Sequence, residues 1–99
     1  MVHELLIGVN VINDEMYQAY RDNMTPILEN YRGGFRYDFD IEQVRKADTE
    51  NPINRVFTIY FPDEATKDAF FADEKYNEIK KQYFDASVSV TTIIAIYER

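Results

Sequence analysis

The chain has 99 residues, enough for one domain, 1–99, built around one modest core. A net charge of −7 sets its general surface against nucleic acid and anionic membrane, and the absence of Cys excludes disulfides, thiolate chemistry and the usual structural zinc sites. Eight Tyr and seven Phe supply bulky apolar matter, some of it tipped with hydroxyls.

The opening stretch, MVHELLIGVNVI, carries Glu4 early and no basic run, so it reads as structure and not as an export signal. Together with the lack of Cys, this points to a cytoplasmic protein. No apolar run approaches the roughly 20 residues of a membrane span, so no membrane partner is expected. Residues 3–12 form a predicted strand with Leu5, Ile7, Val9 and Val11 on one face and Leu6 and Ile12 on the other, which implies cover on both sides.

A helix follows. Asn13 or Asp14 caps it, and Met16, Tyr20, Met24, Ile27, Leu28 and Tyr31 recur at three- and four-residue steps along one face. Pro26 lacks an amide hydrogen and crowds the turn before it, so a kink or a two-piece helix is expected near Thr25. Gly33 is placed to take the left-handed conformation that ends a helix, and Gly34 to bend the chain or admit another backbone closely.

Phe35, Tyr37, Phe39 and Ile41 then alternate with Arg36, Asp38, Asp40 and Glu42, the pattern of an edge strand with one apolar and one polar face. A polar loop leads to a strand over 55–61. Residues 62–84 read as two helices, one capped by Asp63 with a stripe of Ala65, Ala69 and Phe70, the other capped by Asp73 with Tyr76, Ile79 and Tyr83 on its face. Residues 87–97 are the last strand.

The order is that of an α+β, ferredoxin-like βαββαβ fold: a four-stranded antiparallel sheet with both helical segments on one face. Three strands are apolar on both faces, so the face without helices would show several hundred Å² or so of apolar surface to water. At about 25 cal/mol per Å² the drive to cover it is large. A second copy is the simplest cover, and a homodimer is expected.

The helix proline Pro26, the run Asn30–Phe35 (NYRGGF), residues 54–76 (NRVFTIYFPDEATKDAFFADEKY) and the closing strand make the chain resemble the bacterial family called domain of unknown function 1330, within the dimeric α/β-barrel superfamily. The resemblance covers nearly the whole chain. It differs from the usual family pattern at Arg32 before the glycine pair, at Tyr60 where Glu is common, at Phe70 where Trp is common and at Tyr83 where Arg is common. The superfamily includes cofactor-free monooxygenases, haem-degrading enzymes, isomerases and small-ligand regulatory domains.

The sole histidine, His3, stands at a strand start and reads as a solvated or interface residue. Asp38, Asp40 and Glu42 share one strand face, yet a solvated edge explains them better than a hard cation does, and no metal or cofactor is expected. No nucleophile elbow or phosphate-cradling glycine loop is present. Tyrosines are the most suggestive group. Tyr17, Tyr20 and Tyr31 on the first helix and Tyr37 and Tyr60 on strands, with Arg36 as an anion partner, are the candidate pocket residues, although strand parity leaves the face of Arg36 open. The function expected is a small homodimeric domain binding a small organic ligand between helices and sheet. The alternative is a cofactor-independent monooxygenase or isomerase acting on a small aromatic or lactone-like compound. A purely structural dimer module is the third reading.

Overall fold

A computed structural model describes all 99 residues, Met1–Arg99. The elements run β1 (His3–Val11), α1 (Asp14–Asn30), β2 (Gly34–Asp40), β3 (Arg55–Phe61), α2 (Glu64–Phe71), α3 (Glu74–Ile79), a π-helical turn (Lys80–Phe84), a last helical turn α4 (Asp85–Ser87) and β4 (Val88–Glu98). The four strands form one antiparallel sheet in the order β2-β3-β1-β4. The helices lie on one face, so the α+β, ferredoxin-like architecture read from the sequence is the one observed.

Odd-numbered residues of β1 and β3 meet the helices. Leu5, Ile7 and Val9 join Phe57, Ile59 and Phe61 with Tyr17, Tyr20, Met24, Leu28, Phe70 and Tyr76 in a single buried cluster. The caps are as expected: Asn13 accepts from the Met16 amide at 3.0 Å, Asp63 from Thr66 at 2.7 Å and Asp73 from Tyr76 at 3.0 Å. On α1 the buried face is Tyr17, Tyr20, Arg21, Met24 and Leu28, which places Arg21 inside and leaves Met16 only partly covered. On α2 only Phe70 of the expected stripe is buried; Ala65 and Ala69 face out.

Pro26 does not divide the helix. α1 runs unbroken from Asp14 to Asn30, and Pro26 sits on its exposed side, where a carbonyl deprived of its amide donor faces solvent instead of the core. The glycine pair also works differently from the expectation. Neither glycine has positive φ; Arg32 takes the left-handed turn at φ 58°. Its amide bonds the Glu29 carbonyl at 2.9 Å and the Gly33 amide bonds Leu28 at 3.0 Å, a Schellman closure. The glycines are there for close approach. A Cβ on Gly33 would stand 2.6 Å from Leu28 Cδ1 and 2.8 Å from the Tyr60 carbonyl oxygen, and one on Gly34 would stand 2.6 Å from the Tyr60 hydroxyl.

β2 does not alternate strictly. A register shift between Phe35 and Tyr37 marks a bulge at Arg36. Phe35 packs toward the helices against Phe57, whereas Arg36, Tyr37 and Phe39 belong to the opposite, outer face with Thr58 and Val56. Asp38 consequently turns to the helix side. β2 is an edge strand, as the sequence suggests.

The outer face is apolar at Leu6, Val56, Tyr37, Phe39 and Ile94, but it is not uniformly bare. A Cβ on Gly8 would stand 3.0 Å from the Ile53 side chain, and Asn51 reaches Thr92 at 3.1 Å, so the 41–54 segment roofs part of it. At one end Glu4 is fully buried under Arg36, Arg99 and Tyr97. His3 is buried too, contrary to the solvated reading, with Nδ1 2.7 Å from Glu98 Oε1.

Candidate functional site

The helices cover β1 and β3 but stop short of β4. A cavity of about 460 Å³ remains between the two layers. Its floor is Leu5, Ile7 and Val9 of β1, Phe57 and Ile59 of β3, and the β4 residues Thr91, Ile93 and Ile96. Ile93 and Ile96 are more than half exposed and mark the mouth. The roof comes from α1 (Tyr20, Arg21, Met24), α2 (Lys67, Phe71) and the α3 region. The π-helical turn widens the coil at its two ends, Lys80 and Phe84, and both line the cavity.

Polar groups enter these apolar walls at few places. Arg21 is 7 % exposed. Its guanidinium lies 4.0 Å from the Phe35 ring centre and 4.6 Å from that of Phe57. Nε donates to the Tyr17 hydroxyl at 3.1 Å and Nη1 to Asp38 at 3.2 Å, but the buried Nη2 has no hydrogen-bond partner in the protein. Asp38 is shared with Arg55, which binds it through Nε at 2.9 Å and Nη2 at 2.8 Å. Burial works to raise the Asp38 pKa, but Arg55 and Arg21 together outweigh it and hold the carboxyl below its usual range. Tyr20 and Tyr76 join hydroxyl to hydroxyl at 2.9 Å. Burial raises both, with the tyrosine neighbour adding to the rise at Tyr20, so each keeps its proton. No Asp, Glu or His lines the cavity.

The six candidates from the sequence do not gather in one place. Tyr20 lines the cavity, and Tyr17 lies directly behind Arg21. Tyr31 is at the far end of α1, tying it to α3 through a 2.8 Å bond to Asp73. Arg36, Tyr37 and Tyr60 stand on the outer face: Arg36 grips Glu4 at 2.9 and 2.7 Å, Tyr37 stacks on Phe39 at 5.8 Å, and Tyr60 lies over Gly34. Residues missed as pocket members include Arg21, Phe35, Phe57, Phe71 and Phe84. Arg21 carried a signal, since it stands four residues after Tyr17 and three before Met24, a charged residue set into an apolar helix face. No group of three or more His, Asp or Glu is placed to hold a metal ion. No helix is long and apolar enough to cross a membrane.

A larger hollow of about 690 Å³ opens on the outer face between the 41–54 segment and β4. It is lined by exposed loop residues such as Val44, Arg45 and Asp48 and contains no buried, unpartnered polar atom. The inner cavity is therefore the stronger candidate.

Residues 5–97 match the family described as Domain of unknown function (DUF1330). The chain belongs to that family. This DUF1330 domain matches no curated protein. Among solved structures it is similar to a protein of unknown function from Rhodopseudomonas palustris, RPA0582, with a TM-score of 0.81 and 18% identity, covering 99% of this chain and 82% of that one. It is similar to a dabb family protein with a ferredoxin-like fold from Mesorhizobium loti, with a TM-score of 0.65 and 13% identity over 99% of this chain and 96% of that one. A candidate antibiotic biosynthesis monooxygenase from Nitrosomonas europaea is similar at a TM-score of 0.58 and 16% identity, over 99% and 89% of the two chains. At these identities the likeness is one of fold.

Proposed function

We propose that this domain binds a small organic ligand in the cavity between its helices and its sheet, and that it works as a homodimer joined through the outer sheet face. The observation that carries the ligand reading is the buried Arg21, held in apolar walls with one guanidinium nitrogen unpartnered. A core closed for stability alone would fill such a space with side chains and satisfy that nitrogen. The dimer reading is supported by half-exposed Tyr37, Phe39 and Ile94 on the outer face. Cytoplasmic residence remains part of the proposal and rests on composition.

Titration of ¹⁵N-labelled protein with 2-naphthamide, a neutral aromatic that fits the cavity, tests the ligand reading. Amide shifts are expected along Leu5–Val9, Tyr20–Met24, Phe57–Ile59 and Thr91–Ile96. Shifts confined to the Tyr37–Phe39 face, or none with either this amide or the matching carboxylate, would overturn it.

A second reading, a cofactor-independent monooxygenase or isomerase acting on a small aromatic or lactone-like compound, draws support from the fold shared with the Nitrosomonas europaea protein. Such chemistry starts with removal of a substrate proton, and the cavity walls hold no carboxylate or imidazole to take it. Binding without turnover is thus the reading favoured. Turnover of a quinol panel under oxygen would reverse that preference.

A further inference from the structure

The chemistry of the walls narrows the ligand class. We infer that the cavity, read as the ligand site above, selects a small organic anion: an apolar, aromatic-sized body carrying one carboxylate or comparable oxyanion, with the anion on Arg21. Three observations converge. Arg21 is the one guanidinium lining the cavity, its Nη2 is buried without a partner, and its planar fork suits an oxyanion. An unmet donor of this kind is costly in an apolar site; Nη2 has almost no open surface in the empty protein, so an oxyanion meets it once the guanidinium turns toward the cavity and there gains a charge-assisted bond the empty protein lacks. Second, the Tyr20–Tyr76 pair holds two hydroxyl hydrogens and its mutual bond uses one. The other remains a donor, because both hydroxyls stay protonated.

Third, every charged residue on the lining is a cation: Arg21, Lys67 and Lys80. The chain as a whole carries −7, so the acidic surplus lies elsewhere. Nearby carboxylates do not cancel this. Asp38 is held by Arg21 and by Arg55, leaving that triad with a net charge of +1 from two cations and one anion. Lys67 pairs with Asp68 at 2.9 Å and Lys80 with Asp85 at 3.0 Å, but neither carboxylate lines the cavity. The two lysines therefore contribute a screened field at the rim, and Arg21 contributes the contact. Phe35, Phe57, Phe71 and Phe84 supply the faces on which a flat body rests.

The test compares naphthalene-2-carboxylate with its neutral analogue 2-naphthamide by calorimetry near neutral pH. The carboxylate is expected to bind about ten- to hundredfold more tightly, the worth of one charge-assisted hydrogen bond. Arg21→Gln is expected to remove that preference while leaving the amide bound, and Arg21→Lys to keep part of it. Because Arg21 also braces Asp38, folding of both variants is followed by near-ultraviolet circular dichroism. If Arg21→Gln does not fold, Lys67→Ala with Lys80→Ala at the rim is expected to lower carboxylate affinity a few-fold more than amide affinity, and an equal loss for the two probes would count against the anion inference. Equal affinity of the wild-type protein for the two probes would overturn the anion inference and leave the ligand reading standing. Failure of both probes to bind would overturn the ligand reading itself.

Discussion

Arg32 holds a left-handed backbone at φ 58°, which costs an L side chain about 1 kcal/mol relative to glycine. Its side chain is exposed, and it closes α1 through backbone amides alone. Arg32→Gly is therefore expected to stabilise the fold by about 0.5–1 kcal/mol in urea unfolding, less whatever the unfolded chain gains in freedom. Gly33→Ala is the opposite case. The new methyl would meet the Tyr60 carbonyl oxygen at 2.8 Å, an atom the sheet holds in place, so a loss of roughly 1–3 kcal/mol is expected. The NYRGGF run thus announced a helix end, but not which residue would turn the corner. Glycine suits a left-handed turn and a tight contact equally, and only the neighbour across the gap separates the two uses. Glu4 is the third residue with a legible consequence. Bonds from Arg36 above all, and from Tyr97 and Arg99, overcome the opposing effect of burial and hold its carboxyl from 4.5 down to about 2. The folded protein then gives up this proton more readily than the unfolded chain. Its contribution is complete above pH about 4.5 and drains away as pH falls toward about 2. Unfolding curves across that window should show stability falling with pH, and Glu4→Gln should flatten part of the fall. An unchanged profile in the variant would show that other carboxylates govern acid sensitivity.

Among the elements, α1 is the most informative. Pro26 lies in the helix interior, yet the helix continues to Asn30 because packing of Tyr20, Met24 and Leu28 on the sheet outweighs one missing bond on the wet side. Pro26→Ala is accordingly expected to stabilise the protein by roughly 1–3 kcal/mol, offset slightly by a more flexible unfolded chain, with the urea midpoint as readout. The opposite sign would mean that the ring makes packing contacts worth more than the bond it removes. β2 shows where pattern reading stops. Its alternation is perfect in letters, but one bulged residue sends Phe35 inward and Tyr37 and Phe39 outward. A bulge is set by the partner strand and by the grip of Arg36 on Glu4, which lie far apart in sequence. Tyr37 left the helix side for that reason; Tyr60, on β3, faces outward by the parity of its own strand, and Tyr20 stayed, since helical spacing is a local property.

For the whole molecule, order and class of the elements followed from hydropathy period and cap residues, because each is decided within about ten residues. Of the tyrosines expected under the helices, Tyr20 and Tyr76 line the cavity, and the rest of its aromatic wall is Phe35, Phe57, Phe71 and Phe84. Which walls face a cavity depends on how far the helical layer extends over β4, and no single strand or helix records that. The outer face makes its own prediction. Light scattering after size exclusion should give twice the 11.7 kDa chain mass, and Phe39→Lys should shift the balance toward one copy. A stable wild-type monomer would remove the dimer from the account and leave the cavity untouched. The central claim is that Arg21 and the apolar walls around it form a ligand site, and a crystal structure of the protein saturated with naphthalene-2-carboxylate tests it most directly. The account predicts the ring between Phe57, Phe84 and Ile96, with a carboxylate oxygen within hydrogen-bond reach of Arg21 Nη2. A ring bound on the outer face, or a carboxylate turned to solvent at the cavity mouth, would contradict it.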